Sequence, residues 1–421
     1  MTIRAIAILM PMLFLLAHPG AFADWYKGAT HVHSLWSDGD AAPETIAAWY
    51  LDRGWDFVCF SEHNVIQTDP ERFVAINEKS KMRPEHLAEI KARFGDAWPV
   101  LREENGQTSM RLRTHEELKG LLEKPGEFLL IPAEEMTTIG SSPHVNAINV
   151  VEPVRGLPMH PNRTKSIQTY IDVVEAQRAQ FGKPMFAHVN HVNFSDRITT
   201  EELLGVRGLR FFEVYNGHPA VHSWGIPGEQ IPPCDRHWDV VLAQHLQADP
   251  ADMLYGVATD DSHNYFKWAV GESNPGRGWV TVRASKLEPD AITQAMLDGD
   301  FYASTGVTLS DISFDGKTVQ IKIEGAPGVT YRTEYIGTRK GYDATGKPAL
   351  DAKGAVIPRS SKLYSESIGA VLAHSTDLNS SYTMTGDEIY VRARIASDKK
   401  QENPHQDGDC EMAWTQPVAP K

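Results

Sequence analysis

Residues 57–64 read FVCFSEHN, an apolar run that is followed within three residues by a histidine. Similar apolar runs that lead into a histidine or an acidic residue recur at 128–135 (FLLIPAEE), at 184–188 (PMFAH) and at 254–263 (LYGVATDDSH). Continuous apolar runs of this length are typical of parallel strands that are buried on both faces. Because the carboxyl ends of such strands meet on one face of a βα-barrel, we expect the polar residues that follow them to converge.

Helical segments lie between several of these runs. Pro43 opens one helix and Gly54 closes it, and residues 165–181 carry apolar side chains at helical spacing before Gly182. Repeated β-α units within residues 24–304 predict an α/β domain with a parallel sheet, most simply a barrel.

Two segments depart from this alternation. Residues 67–125 are polar, charged and mostly of helical pattern, which predicts a helical insertion that is either a cap near the site or a peripheral decoration. Residues 305–421 alternate polar and apolar positions around turns such as Asp315-Gly316, which predicts a C-terminal antiparallel β-domain or sandwich.

Metal-competent side chains stand at or near the predicted strand ends. They are His31, His33, Asp38, His63, Glu135, His144, His188, Asp261 and His263. Each is a weak signal alone, because a lone His-x-His pair or a buried histidine is commonly structural. Together, imidazoles and carboxylates without thiolates are the ligands of a hydrolytic Zn, Mn or Fe site, and carboxylates can bridge two ions. The set predicts a metal cluster that generates a hydroxide nucleophile.

At this point the motifs resemble one family. His-x-His followed by SLWSDG, then EHN, EMT, a later His, AH and DSH, resemble the polymerase and histidinol phosphatase (PHP) superfamily over roughly residues 27–310. The resemblance implies a distorted (β/α)7 barrel with up to three divalent metal ions. Where many relatives have Asp-His this chain has Glu62-His63, and we expect Glu62 to face away from His63.

The resemblance also implies a role for each ligand. The first ion would be held by His31, His33, Glu135 and Asp261, the second by Glu135, His144 and His188, and the third by Asp38, His63 and His263. Motif alignment favours Glu135 over its neighbour Glu134 as the bridging carboxylate, and Asp261 over Asp260. Glu135, Asp261 and His191 are the predicted catalytic residues.

The sequence indicates the substrate-binding residues less clearly than the metal ligands. Segments such as FEVYNG and GDFYASTG resemble an exported branch of the superfamily that includes carbaryl-type carbamate hydrolases and phosphoesterases. Asn64, Tyr215, Asn216 and Arg277 are the predicted substrate-binding residues, with turn and supporting roles as the alternative. Arg163 and Arg197 are two further loop cations that could hold a phosphate, and Trp36, Trp224 and Trp268 lie close to motif residues.

The N-terminus predicts export. Arg4, an apolar run from Ala5 to Leu16 and the small-x-small site at residues 21–23 are typical of a secretory signal peptide spanning residues 1–23. A short membrane anchor is the alternative. We therefore expect a periplasmic or secreted protein with no membrane association after cleavage.

The net charge of −14 argues against nucleic acid as a partner and leaves a small-molecule substrate. The oligomeric state is left open. Cys59 should be a buried thiol in the strand before His63, whereas Cys234 and Cys410 form a candidate disulfide, with two unpaired thiols as the alternative.

Three hypotheses for the function follow. The first is an exported metal-dependent phosphoesterase that uses a hydroxide bridging the metals of a di- or trinuclear site. The second is a carbamate or carboxylic ester hydrolase with the same metal cluster, in which one ion stabilises the oxyanion. The third is a non-catalytic metal-binding module, which a complete ligand set argues against.

Overall fold

A computed structural model describes residues 23–138, 141–154, 157 and 160–420. The predicted signal peptide lies outside these residues except for Ala23. Among the described residues, every helix is too short or too polar to span a bilayer.

The strands of the described chain are β1 (Asp24–Val32), β2 (Phe57–Phe60), β3 (Phe73–Ala75), β4 (Leu101–Glu104), β5 (Gln107–Arg111), β6 (Leu129–Thr138), β7 (Ser141–Ile148), β8 (Phe186–Val189), β9 (Phe211–Asn216), β10 (Tyr255–Thr259), β11 (Trp279–Ala284), β12 (Phe301–Ser304), β13 (Leu309–Phe314), β14 (Thr318–Ile323), β15 (Tyr331–Arg339), β16 (Ala370–Ser375), β17 (Asn379–Thr383), β18 (Glu388–Lys400) and β19 (Cys410–Thr415). The helices are α1 (Pro43–Asp52), α2 (Pro84–Phe94), α3 (His115–Leu122), α4 (Arg163–Phe181), α5 (Thr200–Leu204), α6 (Cys234–Ala248) and α7 (Pro289–Leu297), with a short 3₁₀ helix at Pro227–Glu229.

One large mixed sheet dominates the described residues, in the order β10-β9-β8-β7-β6-β2-β1-β11-β12-β19-β18-β15-β16. Parallel pairing joins β1, β2 and β6, and it also joins β8, β9 and β10. β7 lies between these two halves and is antiparallel to both of its neighbours. The predicted parallel sheet is thus interrupted at β7, because β6 and β7 are joined by a connection too short for a parallel crossover. On the other side of β1, the described strand β11 is antiparallel as well.

The α/β class is confirmed, whereas the closed barrel stays a prediction. In the described residues the ladder order leaves β10 at one edge of the sheet. The chain just after β10 still meets β1, through a single parallel bridge between Val32 and Ser262 and a hydrogen bond of 3.0 Å from His33 N to Ser262 O. This contact brings the ends of β1 and β10 side by side, which the candidate site requires.

Helix ends follow the chemistry of the sequence. In α4 the side chain of Asn162 accepts a hydrogen bond from Lys165 N, and Gly182 ends the helix in the left-handed conformation with φ of 62°. The buried face of this helix includes Ile167, Ile171 and Val174. These side chains pack on the sheet in the largest apolar cluster, together with Phe212 and Trp238.

The segment 67–125 differs from the mostly helical prediction. It contains α2 and α3, but β3, β5 and β4 form a separate antiparallel sheet of three strands. The reason is the pair Asn105-Gly106, whose φ values of 52° and 74° suit the tight turn of a β-hairpin. The insertion packs beside the candidate site, since the Trp36 indole donates to Arg113 O at 2.9 Å and shares an apolar cluster with Met82 and Met110.

The strands after residue 304 are antiparallel, as the sequence predicts. β13, β14 and β17 form a sheet of their own, whereas β15, β16, β18 and β19 extend the large sheet through the β12–β19 pair. Apolar residues of both sheets, such as Ile321, Tyr335 and Ile395, share one core. The C-terminal part is therefore built as two facing sheets, one of which continues from the N-terminal part.

The three cysteines are free thiols, so the candidate disulfide is not formed. Cys234 is buried at the start of α6, with its sulfur 3.8 Å from Asn193 Nδ2. Cys410 lies at the start of β19 with Lys400 Nζ 3.3 Å from its sulfur. Cys59 is fully buried, as predicted, and burial raises the pKa of its thiol.

Candidate metal centre

The predicted ligands come together where the strands end. β1 places His31, and His33 follows directly after the end of this strand. The turn after β2 places His63, and β6 places Glu135 in the register next to His63. β7 supplies His144, and the turn after β10 supplies Asp261 and His263. The convergence that the sequence predicts is therefore observed for residues that lie on five separate strands or directly after them.

Three overlapping groups have ligand atoms that all lie within 4.8 Å of one another. They are His31, His33 and Asp261; His63, Glu135 and His144; and His33, Asp38, His63 and His263. The groups share His33 and His63, so they form one continuous cluster. Each group offers three or four donors, which is the ligand count of one transition metal ion.

Glu135 lies at the centre of this cluster. Its Oε2 atom is 3.5 Å from His31 Nε2, 3.3 Å from His33 Nε2 and 3.0 Å from His63 Nδ1. Its Oε1 atom is 3.0 Å from His144 Nδ1 and 3.4 Å from His191 Nε2. The two oxygens of one carboxylate therefore face two different sets of imidazoles.

Asp261 faces the cluster from the opposite side. Its Oδ1 atom is 3.2 Å from His31 Nε2 and 3.4 Å from His33 Nε2. The backbone of Asp261 has a φ of 49°, an unfavourable value for a non-glycine residue, and Asn216 Nδ2 donates to its Oδ2 at 3.1 Å. The sharp turn separates Asp261 from Asp260, whose carboxylate instead accepts from the Tyr50 hydroxyl at 2.6 Å.

Asp38 forms the open side of the centre. Its side chain is 50% exposed, and its oxygens lie 3.4 Å from His63 Nε2 and 3.2 Å from His263 Nε2. The loop that carries Asp38 is held from behind by Glu62, which accepts from Ser34 N at 3.1 Å and from Ser37 Oγ at 2.5 Å. Glu62 thus points away from His63, as expected, and its role is to fix this loop.

The adjacent acids separate as the motif alignment predicts. Glu134 Oε2 accepts from Val154 N at 2.7 Å on the far face of β6, whereas Glu135 faces the cluster. Alternation of side chains along a strand is the reason that only one of the two neighbours can reach the metal centre.

The structure does not bring His188 to the cluster. Its ring is fully buried under His31, where Nδ1 lies 3.9 Å from Glu213 Oε1, and burial lowers its pKa to about 4. His191, three residues later, instead places Nε2 beside Glu135 and its ring 5.0 Å from that of His144. The turn at His191, with φ of 28°, aims this side chain back at the cluster.

Glu213 is the residue that sequence reasoning missed. It is 1% exposed in the middle of β9, and its carboxylate accepts from His31 Nδ1 at 2.6 Å and from His191 N at 2.6 Å. A carboxylate on the far nitrogen of a ligand imidazole fixes the tautomer and makes the facing nitrogen a better ligand. The signal was present in the sequence as one acid inside the apolar run FFEVY.

The buried carboxylates of the cluster favour positive charge at the neighbouring imidazoles. Burial disfavours the charged imidazoles, but Asp261, Glu135 and Glu213 outweigh it and raise the pKa of His31 well above its usual value. In the same way Glu135 and Asp38 raise the pKa of His63 to about 11, against the effect of burial. Protons or divalent cations can meet this demand at the imidazole nitrogens.

The donor set fits a metal better than a hydrogen-bonded network. His31 Nε2, His33 Nε2, His63 Nδ1 and Glu135 Oε2 are buried and make no hydrogen bond with the described residues, although they face one another. Buried polar atoms are normally hydrogen-bonded, and lone pairs that converge on a common space are the arrangement that binds a cation.

The predicted substrate contacts are mostly engaged elsewhere. Asn64 is locked to Thr137 by two hydrogen bonds of 2.6 and 2.9 Å. Asn216 binds Glu213 and Asp261, so it supports the ligands. Tyr215 is fully buried, with its ring 5.8 Å from that of Trp224 and 6.1 Å from that of Trp414. These three residues position the site from outside it.

The predicted phosphate-binding arginines are also committed. Arg277 is 1% exposed and donates to the carbonyls of Gly217 at 2.9 Å and Ala269 at 3.1 Å. Its guanidinium therefore links the loops that carry these two residues. Arg163 pairs with Asp196 at 2.7 Å and Arg197 with Glu229 at 2.9 Å. The reason is that each lies where a carbonyl or carboxylate outside the centre satisfies the guanidinium.

Two rings missed in the sequence lie beside the centre. Phe194 has its ring 5.1 Å from that of His191 and 5.5 Å from that of His218. The His218 ring is in turn 5.7 Å from that of His263, and burial lowers its pKa to about 4. Together they give one side of the centre an aromatic surface.

Comparison with known proteins does not assign a family to this chain. No protein-family model matches the chain, and no curated protein matches it. Among solved structures, the chain is similar to a two-domain protein of Bacteroides vulgatus that contains a predicted PHP-like metal-dependent phosphoesterase. The identity is 13%, the match covers 99% of this chain and 100% of that chain, and the TM-score is 0.40. A similarity at this level assigns neither fold nor function.

Proposed function

We propose that this chain is a metal-dependent hydrolase that cleaves phosphate esters at a cluster of two to three divalent ions, either Zn, Mn or Fe. The observation that carries the proposal is Glu135, whose two carboxylate oxygens each lie 3.0–3.5 Å from a different set of imidazole nitrogens. Such a carboxylate is arranged to bridge two cations. The number of converging ligands exceeds the four that a closed structural zinc site uses.

The three groups define which residues would hold the ions. His31, His33 and Asp261 would hold one, and Glu135, His63 and His144 would hold another with His191 beside them. Asp38 and His263 would complete a third with His33 and His63. Divalent ions bound there supply Lewis acidity and bring the pKa of water to about 7.

The protein's own residues would orient the reaction. Asn190 donates to Glu135 Oε1 at 2.8 Å and Asn216 donates to Asp261 Oδ2 at 3.1 Å, so both carboxylates are fixed in position. Asp38, at 50% exposure, and His63, at 27%, form the open side, which is where substrate would enter. His191 would accept or donate a proton beside Glu135.

A carbonyl substrate is the second candidate, and a specific observation favours it. The arginines predicted to grip a phosphate are engaged outside the centre, whereas Phe194 and His218 give it an aromatic side. An aryl carbamate or carboxylic ester would pack its ring against that side. The same ligands would then serve a reaction at carbon.

We also propose that the chain belongs to an exported branch of the PHP superfamily. The order of the ligand motifs along the chain and their convergence support this proposal. If residues 1–23 are a signal peptide, N-terminal sequencing of the protein isolated from the periplasm or medium should begin at Asp24.

The proposal is tested with residues 24–421, loaded in turn with Zn, Mn and Fe. Elemental analysis should find two to three ions per chain. The loaded protein is assayed side by side against a phosphomonoester, a phosphodiester, an aryl ester and an aryl carbamate, before and after chelation and re-addition of metal. Hydrolysis in oxygen-18 water should place the label directly in the released phosphate or acid.

Each outcome decides between the candidates. Metal-dependent turnover of a phosphate ester supports the first, and turnover of the aryl substrates alone replaces it with the second. Metal binding without hydrolysis of any of the four would make the chain a metal-binding module. Full activity after exhaustive chelation, or a labelled covalent adduct on the protein, would refute the mechanism.

A further inference from the structure

A second cleft, of about 580 Å³, lies away from the metal centre. It is bounded by the start of β1, the end of α1, β11 and residues 399–411 of the C-terminal part. None of its lining residues belongs to the cluster around Glu135. Its volume is in the range of small-molecule sites, roughly 300–1,000 Å³.

Lys27 is the most unusual residue of this cleft. Its Nζ atom lies 4.2 Å from the ring centre of Trp55 and 3.9 Å from that of Trp279, so the ammonium is held between two indoles. Among the described residues, no carboxylate approaches this ammonium within the 4.0 Å of an ion pair, and Asp56 and Asp260 act on it only from farther away. Burial lowers the pKa of Lys27 to about 8.

A second cation repeats the arrangement at the rim. The guanidinium carbon of Arg53 lies 4.3 Å from the ring centre of Trp49, and its Nη1 atom donates to Trp49 O at 3.3 Å. Trp268 stacks on Trp49 at 5.7 Å and is 46% exposed, so one indole face remains open to the cleft. Both cations therefore rest on aromatic faces without a carboxylate partner in the described chain.

The charges of the lining restrict the ligand. A cationic ligand is disfavoured, because the inner indole faces already carry an ammonium and a guanidinium. The acids of the lining are Glu411, which pairs with Lys399 at 2.8 Å, and Glu402, which is exposed at the rim. An anionic group would stabilise the partly buried Lys27 ammonium, because Asp260 and Asp56 offset the effect of burial only in part.

We propose that this cleft is a binding site for a small organic anion with a planar aromatic body. The acidic group would meet Lys27 and Arg53, and the ring would lie against Trp268. The site does not depend on the proposed hydrolase activity, since it shares no residue with the metal centre.

The experiment titrates the metal-loaded protein, residues 24–421, with naphthoate and with naphthylmethanol, by calorimetry and by tryptophan fluorescence. Naphthoate should bind saturably, and the neutral alcohol should bind at least about tenfold more weakly, a difference of about 1.4 kcal/mol. The titration is repeated after chelation, which should leave naphthoate binding unchanged.

Variants locate the site. Lys27→Met keeps the apolar stem and should weaken naphthoate binding at least about tenfold, whereas Lys27→Arg should retain most of it. Arg53→Gln and Trp268→Leu alter exposed side chains and should each weaken binding about threefold even if Lys27→Met fails to fold. The matched control is Arg102→Gln, which removes a cation stacked on Phe73 at 3.9 Å in the insertion and should have no effect.

The proposal is overturned by any of three results. They are equal binding of naphthoate and the alcohol, loss of naphthoate binding on chelation, and unchanged binding in Arg53→Gln and Trp268→Leu. The second result would show that the probe binds the metal centre, and it would leave the proposed hydrolase function intact.

Discussion

Two buried clusters of charge in this molecule use their polar groups in opposite ways. Arg392, fully buried where β18 packs on α6, donates from Nε to Asp239 at 2.8 Å and lies 2.8 Å from Asp235 through Nη2. The Tyr390 hydroxyl adds a hydrogen bond of 2.7 Å to Asp239. In this cluster a permanent cation faces two acids, so donors meet acceptors.

The candidate metal centre instead sets carboxylate oxygens against imidazole nitrogens, which carry no permanent charge. Around Glu135, imidazole nitrogens face carboxylate oxygens at 3.0–3.5 Å, and several of these atoms make no hydrogen bond with the described part of the chain. The Arg392 cluster carries its own counter-charge and can hold two parts of the protein together. The cluster around Glu135 needs charge from outside, which is what a metal site requires.

The largest expected effect is a loss of activity when the charge of Glu135 is removed. Glu135→Gln keeps the shape but removes the bridging charge, so activity should fall by more than about 100-fold, because even outer partners of metal ligands contribute 10–100-fold. Metal content, measured by elemental analysis, should fall with it. The matched control, Glu134→Gln, should keep most activity and metal, and the opposite ranking would show that the bridging residue is misassigned.

Arg392→Met breaks the other cluster. Asp235 and Asp239 would be left buried without their main counter-charge, so the free energy of unfolding should fall by about 3–5 kcal/mol. Denaturant unfolding measures the loss. Arg339→Gln is the control, because this arginine is 54% exposed and lies 3.8 Å from Glu388. An Arg392→Met protein of unchanged stability would contradict the structural role of this cluster.

Glu213→Gln tests how much a supporting carboxylate contributes, because Glu213 contacts the candidate ligand His31 and is not itself a candidate ligand. The variant should lose about 10–100-fold in metal affinity or kcat with little change in KM, since the amide orients His31 less strongly than the carboxylate. Metal titration and steady-state kinetics test this expectation. The control is Thr259→Val, which removes only the 2.9 Å hydrogen bond from Thr259 Oγ1 to Glu213. Equal losses in both variants would argue for simple packing.

The smallest effect concerns a buried histidine outside both clusters. His237 lies 2.9 Å from Thr200 Oγ1 and 3.3 Å from Asn193 Oδ1, and burial lowers its pKa to about 4. The unfolded chain then binds the extra proton below pH about 6.5, so the stability that the neutral ring contributes is present above that pH and is lost as the pH falls toward 4.

Between pH 7 and pH 5, the native protein should therefore lose about 2 kcal/mol more stability than His237→Gln. Unfolding in urea at both pH values measures the difference. Comparison of the two proteins cancels the titration of the metal ligands, which is common to both. Parallel pH profiles would mean that His237 is protonated in the folded state.

Most of the candidate ligands that the sequence predicted lie at the end of a strand or directly after it, whereas Glu135 and His144 lie within β6 and β7. His31 and His33 alternate on one strand, and Asp261 and His263 repeat that spacing, so their common direction follows from strand geometry alone. His188 also follows an apolar run, yet it lies under the cluster, because the chain turns only at His191. Which of two nearby histidines reaches a site depends on backbone angles that a sequence pattern does not contain.

Supporting roles were harder to predict than ligand roles. Glu213 is an acid inside a strand and received no role from the sequence, whereas Arg277 is a cation in a loop and was predicted to bind substrate. The structure gives them the opposite importance, because Glu213 meets His31 at 2.6 Å while Arg277 finds backbone carbonyls first. The partner that a long polar side chain binds depends on which loops and strands pack next to it, and a sequence pattern does not contain that information.

Apolar periodicity and residue chemistry act locally, so the sequence alone was enough to predict the α/β class, the antiparallel C-terminal strands and most residues of the candidate metal centre. The tertiary structure alone decided the reversed strand β7, the hairpin within the insertion, the choice of His191, and the cleft that places Lys27 between Trp55 and Trp279. These features depend on which distant segments touch, and that is fixed by packing and loop closure over the whole chain.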